Sequence, residues 1–189
     1  NVESSECHSF CFFFNPSHTL SKHNIQGVHA PAQVPSWYEA KYQTRINDTK
    51  RRTFAGMLSC VDEGIGNVTK ELERRNMLSN TLFVFTSDNG GPIQGGDSVG
   101  ARNWPLRGGK HSIWEGGVRA TSVVYSQNED LISVERRGTT YNGLMHGADW
   151  FPTLSDVAGY DLNGTLELDG VSQWSAITGT TMFVTPSHH

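Results

Sequence analysis

At 189 residues with 36% hydrophobic content, the chain is long enough to bury the core of one packed domain. Its net charge of -4, without clustered Lys and Arg, excludes a surface built to track a nucleic-acid backbone, and no apolar stretch approaches the roughly 18 residues that span a bilayer. The basic pairs Arg51-Arg52, Arg74-Arg75 and Arg136-Arg137 lie in mixed-charge stretches and read as solvated surface.

Taken from the N-terminus, Phe10-Cys11-Phe12-Phe13-Phe14 is too short for the apolar region of a signal peptide, has no basic residues before it and stops at Asn15-Pro16, so it predicts a buried strand. Ser, His and Asn then break every periodic pattern between Asn15 and Gln26. From Val28, His29-Ala30-Pro31 and Val34-Pro35 form an extended segment, because each proline pushes its predecessor out of helical geometry. Between Thr49 and Asn76, Phe54, Leu58, Val61, Ile65, Val68 and Leu72 recur at steps of four and three, the spacing of one helix face. Thr81-Leu82-Phe83-Val84-Phe85-Thr86 follows after a short turn and predicts a buried strand with parallel neighbours.

That strand stops at Ser87-Asp88-Asn89-Gly90-Gly91, which places a polar pair at the strand end where ligands bind in open α/β sheets. A glycine-rich loop runs to Gly117, and Val118 to Tyr125 predicts a further strand. Asp149-Trp150-Phe151-Pro152 reads as a helix start, with Asp149 as its cap and Pro152 in the first turn; the helix should reach about Gly159. Cys7, Cys11 and Cys60 show no metal-ligand spacing and leave one thiol unmatched, so their pairing stays open. Sequons at Asn47, Asn67 and Asn163 lean towards a secretory route, where each asparagine can carry a glycan.

Asp88 and Asn89 offer a carboxylate and an amide oxygen side by side, hard donors that suit Ca²⁺ or Mg²⁺ and not zinc. On its own, Asp-Asn-Gly-Gly is more often a turn than a metal site. Its context changes that reading. The segment Asn103-Trp104-Pro105-Leu106-Arg107-Gly108-Gly109-Lys110-His111-Ser112-Ile113-Trp114-Glu115-Gly116-Gly117-Val118-Arg119, with Thr86 to Gly91 before it, resembles the sulfatases, in particular their arylsulfatase B-like (N-acetylgalactosamine-4-sulfatase-like) branch. Val28-His29-Ala30-Pro31 with Gln33-Val34-Pro35, Ala55-Gly56-Met57-Leu58 through Asp62-Glu63, Gly66-Asn67-Val68-Thr69, Ala148-Asp149-Trp150-Phe151-Pro152-Thr153-Leu154 and Leu168-Asp169-Gly170 with Trp174 match in the family's order. Short matches in one order over about Val28 to Trp174 are far more specific than any one of them.

The resemblance implies an α/β, alkaline-phosphatase-like fold with a mixed, mainly parallel sheet between helices, incomplete in this chain. It implies that Asp88 and Asn89 are metal ligands for a divalent cation, usually Ca²⁺, and that Lys110 contacts the sulfate through a charge-assisted hydrogen bond. His29 matches the histidine that also reaches the sulfate and helps protonate the leaving alcohol, a task suited to a ring that exchanges a proton at mild pH. Without the family match, His29 reads as a hydrogen-bonded loop histidine and Lys110 as a solvated loop lysine. Trp104, Arg107, Trp114, Glu115 and Arg119 read as scaffold that pins the loop by packing and ion pairing, and His111, His146, His188 and His189 as structural or surface residues.

The family's nucleophile is a formylglycine made from Cys or Ser in a Cys/Ser-x-Pro-x-Arg motif; no such motif occurs in these 189 residues, and neither does the family's Asp-Asp pair. The expectation is therefore a fragment that binds calcium weakly and hydrolyses nothing alone. Residues 1-27 form an atypical N-terminal segment, as if foreign sequence had been joined to a true exon. Residues 28-160 form a partial catalytic domain, and 161-189 the truncated start of a C-terminal region. The function implied is metal-dependent hydrolysis of sulfate esters, on a sulfated small molecule or glycan, in a lysosomal or secreted protein. Two alternatives stand beside it: a non-catalytic secreted anion-binding protein derived from a sulfatase, and a phosphatase or phosphodiesterase of the same superfamily.

Overall fold

The computed structural model describes residues 9–15, 19–94, 100–164 and 166–180. Four strands, β1 (Ser9–Asn15), β2 (Thr19–Ile25), β3 (Leu82–Ser87) and β4 (Ser122–Ser126), form one sheet in the order β2-β1-β3-β4. The run of phenylalanines does form β1; the burial expected for its side chains lies outside what is described. Strand β2 falls in the stretch whose polar residues gave no periodic pattern. It sits at the sheet's edge and pairs with β1 from Ser9↔Ile25 to Asn15↔Thr19.

All three pairings are antiparallel, which corrects the parallel neighbours expected for β3. A parallel pair needs a crossover over a sheet face. Here β1 and β2 are adjacent in sequence and pair out to Asn15↔Thr19, and the excursion from β3 to β4 closes on itself: the Ser87 amide donates to the Thr121 carbonyl at 2.9 Å, and pairing continues from Thr86↔Ser122 to Leu82↔Ser126.

Alternation along β3 splits its side chains between two cores. Leu82 and Val84, each 1% exposed, pack with Ile132 and Leu154, joined by Trp150 and Val157 of α4 (Trp150–Val157) and by Trp174 and Ile177 of α5 (Trp174–Thr178). Phe83 points the other way, to Leu78, Ile25 and the apolar stripe Ile65, Val68 and Leu72 of the long helix α2 (Thr49–Arg74). β3 is thus packed on both faces.

Helix α2 starts where the Asp48 carboxylate accepts the Arg51 amide at 2.7 Å, and the chain leaves it through Asn76 at φ 57°, a left-handed position that asparagine tolerates. The predicted stripe holds over the second half of α2 but not the first. Leu58 is exposed, whereas Thr53, Gly56 and Met57 are buried, because α1 (Ser36–Ala40) crosses there, with its backbone against Gly56. Two further expectations are corrected. Val118 belongs to α3 (Glu115–Val118), a single helical turn, so the last strand begins only at Ser122. Asp149 gives α4 no side-chain cap; its carboxylate accepts the amides of His146 at 2.7 Å and Val171 at 3.0 Å, tying the start of α4 to the segment before α5.

Replacing Leu82 with Ala should open a void between the sheet and α4 and lower stability by about 3 kcal/mol, as large-to-small changes in a packed core do. The shift of the urea midpoint measures it. A loss under about 1 kcal/mol would show that this face is not a packed core.

Candidate active site

The excursion between β3 and β4 builds the site. Ser87 ends the strand, and its hydroxyl donates to the Asn89 carbonyl at 2.9 Å, turning the chain so that Asp88 and Asn89 stand at the sheet's end. Asp88 is exposed and Asn89 half-buried. The Asn89 side-chain amide donates to the Gly90 carbonyl at 2.8 Å. Its Oδ1 enters no hydrogen bond among the described residues. The pair thus presents oxygen donors of the kind a hard divalent cation takes.

The chain next passes directly against α3. The Gly90 amide donates to the Gly117 carbonyl at 2.9 Å, and a Cβ at Gly90 would lie 1.7 Å from the Gly116 carbonyl oxygen. No side chain fits there. Gly116 is equally confined, since a Cβ on it would lie 2.3 Å from the Gly108 oxygen. The glycines of the loop thus let three passes of backbone touch.

Lys110 reaches the site by the same construction. Its amide donates to the Gly91 carbonyl at 3.2 Å, and the chain turns on through His111 at φ 73°. Asn103 locks this junction. Its Oδ1 accepts the Gly91 amide at 3.0 Å, and its Nδ2 donates to the carbonyls of Gly91 at 2.8 Å and Gly108 at 3.0 Å. Nothing in its sequence position marks Asn103 for this part beyond a polar residue before Trp-Pro, and sequence reasoning gave it no role. Arg107 and Trp114 stack at 3.7 Å and Arg119 pairs with Glu115 at 3.5 Å, the scaffold contacts expected of them. Trp104 departs from that expectation: it is 88% exposed and pins nothing by packing.

The Lys110 ammonium donates to Nε2 of His29 at 3.1 Å, across 81 residues of sequence. The other ring nitrogen, Nδ1, lies 2.7 Å from the Ala30 carbonyl oxygen. A carbonyl only accepts and an ammonium only donates, so Nδ1 carries the proton and Nε2 presents its lone pair. His29, Asp88, Asn89 and Lys110 line one cavity of about 320 Å³. Arg102 and Arg119 line it too, so with Lys110 the cavity walls carry three cations against the Asp88 carboxylate. His29 also borders a larger, more apolar cavity of about 610 Å³ against α2. The excess of cations over carboxylate suits an anion. The asparagines of the sequons, Asn47, Asn67 and Asn163, are exposed and far in sequence from these residues.

Residues 14–160 match the sulfatase family model. The chain is 41% identical over 153 residues to mouse arylsulfatase J, which covers 81% of this chain and 24% of that protein. It is 25% identical over 155 residues to dog N-acetylgalactosamine-6-sulfatase, covering 82% of the chain and 27% of that protein. Among solved structures it superposes on Ps i-CgsB in complex with k-i-k-neocarrahexaose with a TM-score of 0.71 at 33% identity, over 81% of this chain and 32% of that one. The fold is therefore α/β and alkaline-phosphatase-like, incomplete here, and the chain spans about a quarter to a third of these relatives' length.

Changing Asn103 to Ala should remove the three bonds that join Gly91 to Gly108, at a cost of about 2 kcal/mol in unfolding free energy for the groups left unpaired. The Gly91 and Lys110 amides should then lose protection from hydrogen exchange while those of β3 keep theirs. Unchanged protection at Gly91 would show that Asn103 does not hold the junction.

Proposed function

The chain belongs to the sulfatase family, and on that premise we propose that the cavity at the end of β3 is the metal- and sulfate-holding part of a sulfuric ester hydrolase site. The observation that carries this reading is the convergence of the Lys110–His29 pair with Asp88 and Asn89 on one cavity. Asp88 and Asn89 would hold a divalent cation, Ca²⁺ by the all-oxygen donor chemistry. Two such donors are a minority of the roughly six to eight oxygens calcium takes, so the rest of the shell would have to come from other oxygens. When bound, the cation acts as a Lewis acid on a sulfate oxygen.

Lys110 donates to a second sulfate oxygen, and that bond strengthens as negative charge gathers on the ester in the transition state. His29 holds Nε2 on the same side as the Lys110 ammonium; Nε2 first takes up a proton from solvent, which makes the ring an imidazolium, and then gives it to the leaving alcohol. The Ala30 carbonyl keeps the ring from turning over. The chemistry of attack on sulfur requires a nucleophile, and the 189 residues contain no Cys/Ser-x-Pro-x-Arg motif from which the family makes its formylglycine. This chain alone binds and orients sulfate and hydrolyses nothing.

Within the family we place the chain in the arylsulfatase B-like branch and its substrate among sulfated sugars. The similarity to arylsulfatase J and to a structure bound to a neocarrahexaose supports this. The exposed sequon asparagines support glycosylation and a lysosomal or secreted location, and among the described residues no helix is long and apolar enough to cross a membrane. The surplus of cations in the cavity supports a second reading, a secreted anion-binding protein that has kept the sulfate pocket.

Titration of the 189-residue chain with inorganic sulfate in the presence of Ca²⁺ tests the proposal. Binding should weaken at least about tenfold in Lys110→Ala, the scale of one lost charge-assisted hydrogen bond. Binding in Asp88→Ala should no longer respond to Ca²⁺, and p-nitrophenyl sulfate should not be turned over. Sulfate binding indifferent to both substitutions would overturn the site, and turnover would overturn the claim that the chain lacks its nucleophile.

A further inference from the structure

Five tryptophans occur in the chain. Trp150 and Trp174 pack against the core below β3, Trp114 is covered by the Arg107 guanidinium at 3.7 Å, and Trp37 lies beside Tyr38 with ring centroids 6.0 Å apart. Trp104 differs from all four. It is 88% exposed, no ring contact or hydrogen bond engages its indole among the described residues, and it lines the cavity that holds His29, Asp88 and Lys110.

The backbone that carries it is nonetheless fixed. Trp104 and Pro105 are the central residues of a turn closed by the Leu106 amide on the Asn103 carbonyl at 2.8 Å, and the Asn103 side chain is bonded to Gly91 and Gly108. The indole is therefore carried on the same backbone junction that sets Lys110, with Leu106 lining the cavity beside it. A large apolar ring carried into water from a fixed backbone, at the edge of a pocket lined by cations, is placed to meet a ligand with an anionic end and an apolar face. A sulfate ion has no such face. A pyranose has one in the C–H groups of its ring.

We propose that Trp104 is the platform on which the sugar ring of a sulfated saccharide lies while its ester sulfate enters the cavity towards Lys110. This rests on the sulfate-binding reading of that cavity and adds the part that recognises the alcohol half of the ester. Trp104 is a positioning and specificity-determining residue: it contacts the ring, not the reacting sulfur. Inorganic sulfate, which lacks the ring, gains nothing from it.

Paired titrations of the 189-residue chain with inorganic sulfate and with galactose 4-sulfate, both with Ca²⁺ present, separate the two halves. Galactose 4-sulfate should bind the unaltered chain more tightly than inorganic sulfate. Trp104→Ala should weaken galactose 4-sulfate by about fivefold, the scale of a single aromatic contact, and leave inorganic sulfate within about twofold. Trp104→Phe should keep most of the preference. Equal loss for both ligands would show a merely structural role, and no loss for either would show that the ring does not reach the indole; each overturns the platform. Failure of the unaltered chain to bind inorganic sulfate would sink the anion site itself and the platform with it, an outcome distinct from loss of the sugar preference alone.

Discussion

The Gly91 peptide unit is where the parts of the site meet. Its carbonyl accepts the Lys110 amide and the Asn103 side chain, and its own amide donates back to Asn103. Through these bonds a loop of more than twenty residues is registered against the end of β3 by backbone contact, which side-chain packing alone could not fix so closely. The glycines around it are required by that closeness: at Gly90 and Gly116 a methyl group would overlap a carbonyl oxygen. A site built this way holds its charged groups on peptide units that cannot drift apart without breaking several hydrogen bonds, and preorganisation of that kind is what lets a pocket stabilise developing charge.

The remainder of the fold supports this junction. Leu82 and Val84 anchor β3 to α4 and α5 on one face, and Phe83 anchors it to α2 on the other, so the strand end carrying Asp88 is fixed from both sides. His29 arrives from the far side of the junction on the proline-stiffened segment that leads from the edge strand β2 to α1. Its ring is held by its own neighbour's carbonyl before it meets Lys110. The cavity between these elements carries a surplus of guanidinium and ammonium groups, and a bound divalent cation would add to it. That balance is suited to a sulfate group, and the exposed tryptophan at its edge to what the sulfate is attached to.

Much of this was legible in the residues, and the failures have physical causes. β3 and the second half of α2 announce themselves because their apolar spacing matches the surfaces they cover. The first half of α2 misleads, since its partner α1 is short and rests on Gly56, so burial passes to Thr53 and Met57 and leaves Leu58 in water. β2 is polar because it lies at a sheet edge, where alternation is not enforced. Strand direction is not legible in the sequence because an apolar run says nothing about its partners: antiparallel closure depends on bonds such as Ser87 to Thr121 that join distant residues. Asp149 looked like a helix cap and proved to be a tie to Val171. Of the site, the charged groups were readable from type and order, whereas Asn103 was not, because its three bonds all go to backbone that only the folded loop brings near.

The acid and amide at the strand tip line one cavity with the lysine–histidine pair, and the site depends on that convergence. Paramagnetic Mn²⁺, which takes the same oxygen donors as calcium, tests this directly when titrated into the isotopically labelled chain. Signals of Asn89, Gly91, the Lys110 amide and the His29 ring should broaden together at low Mn²⁺, and Asp88→Ala should remove the effect from all of them. Broadening centred on the acidic surface of α2 around Glu71 and Glu73, with Lys110 and His29 untouched, would contradict it.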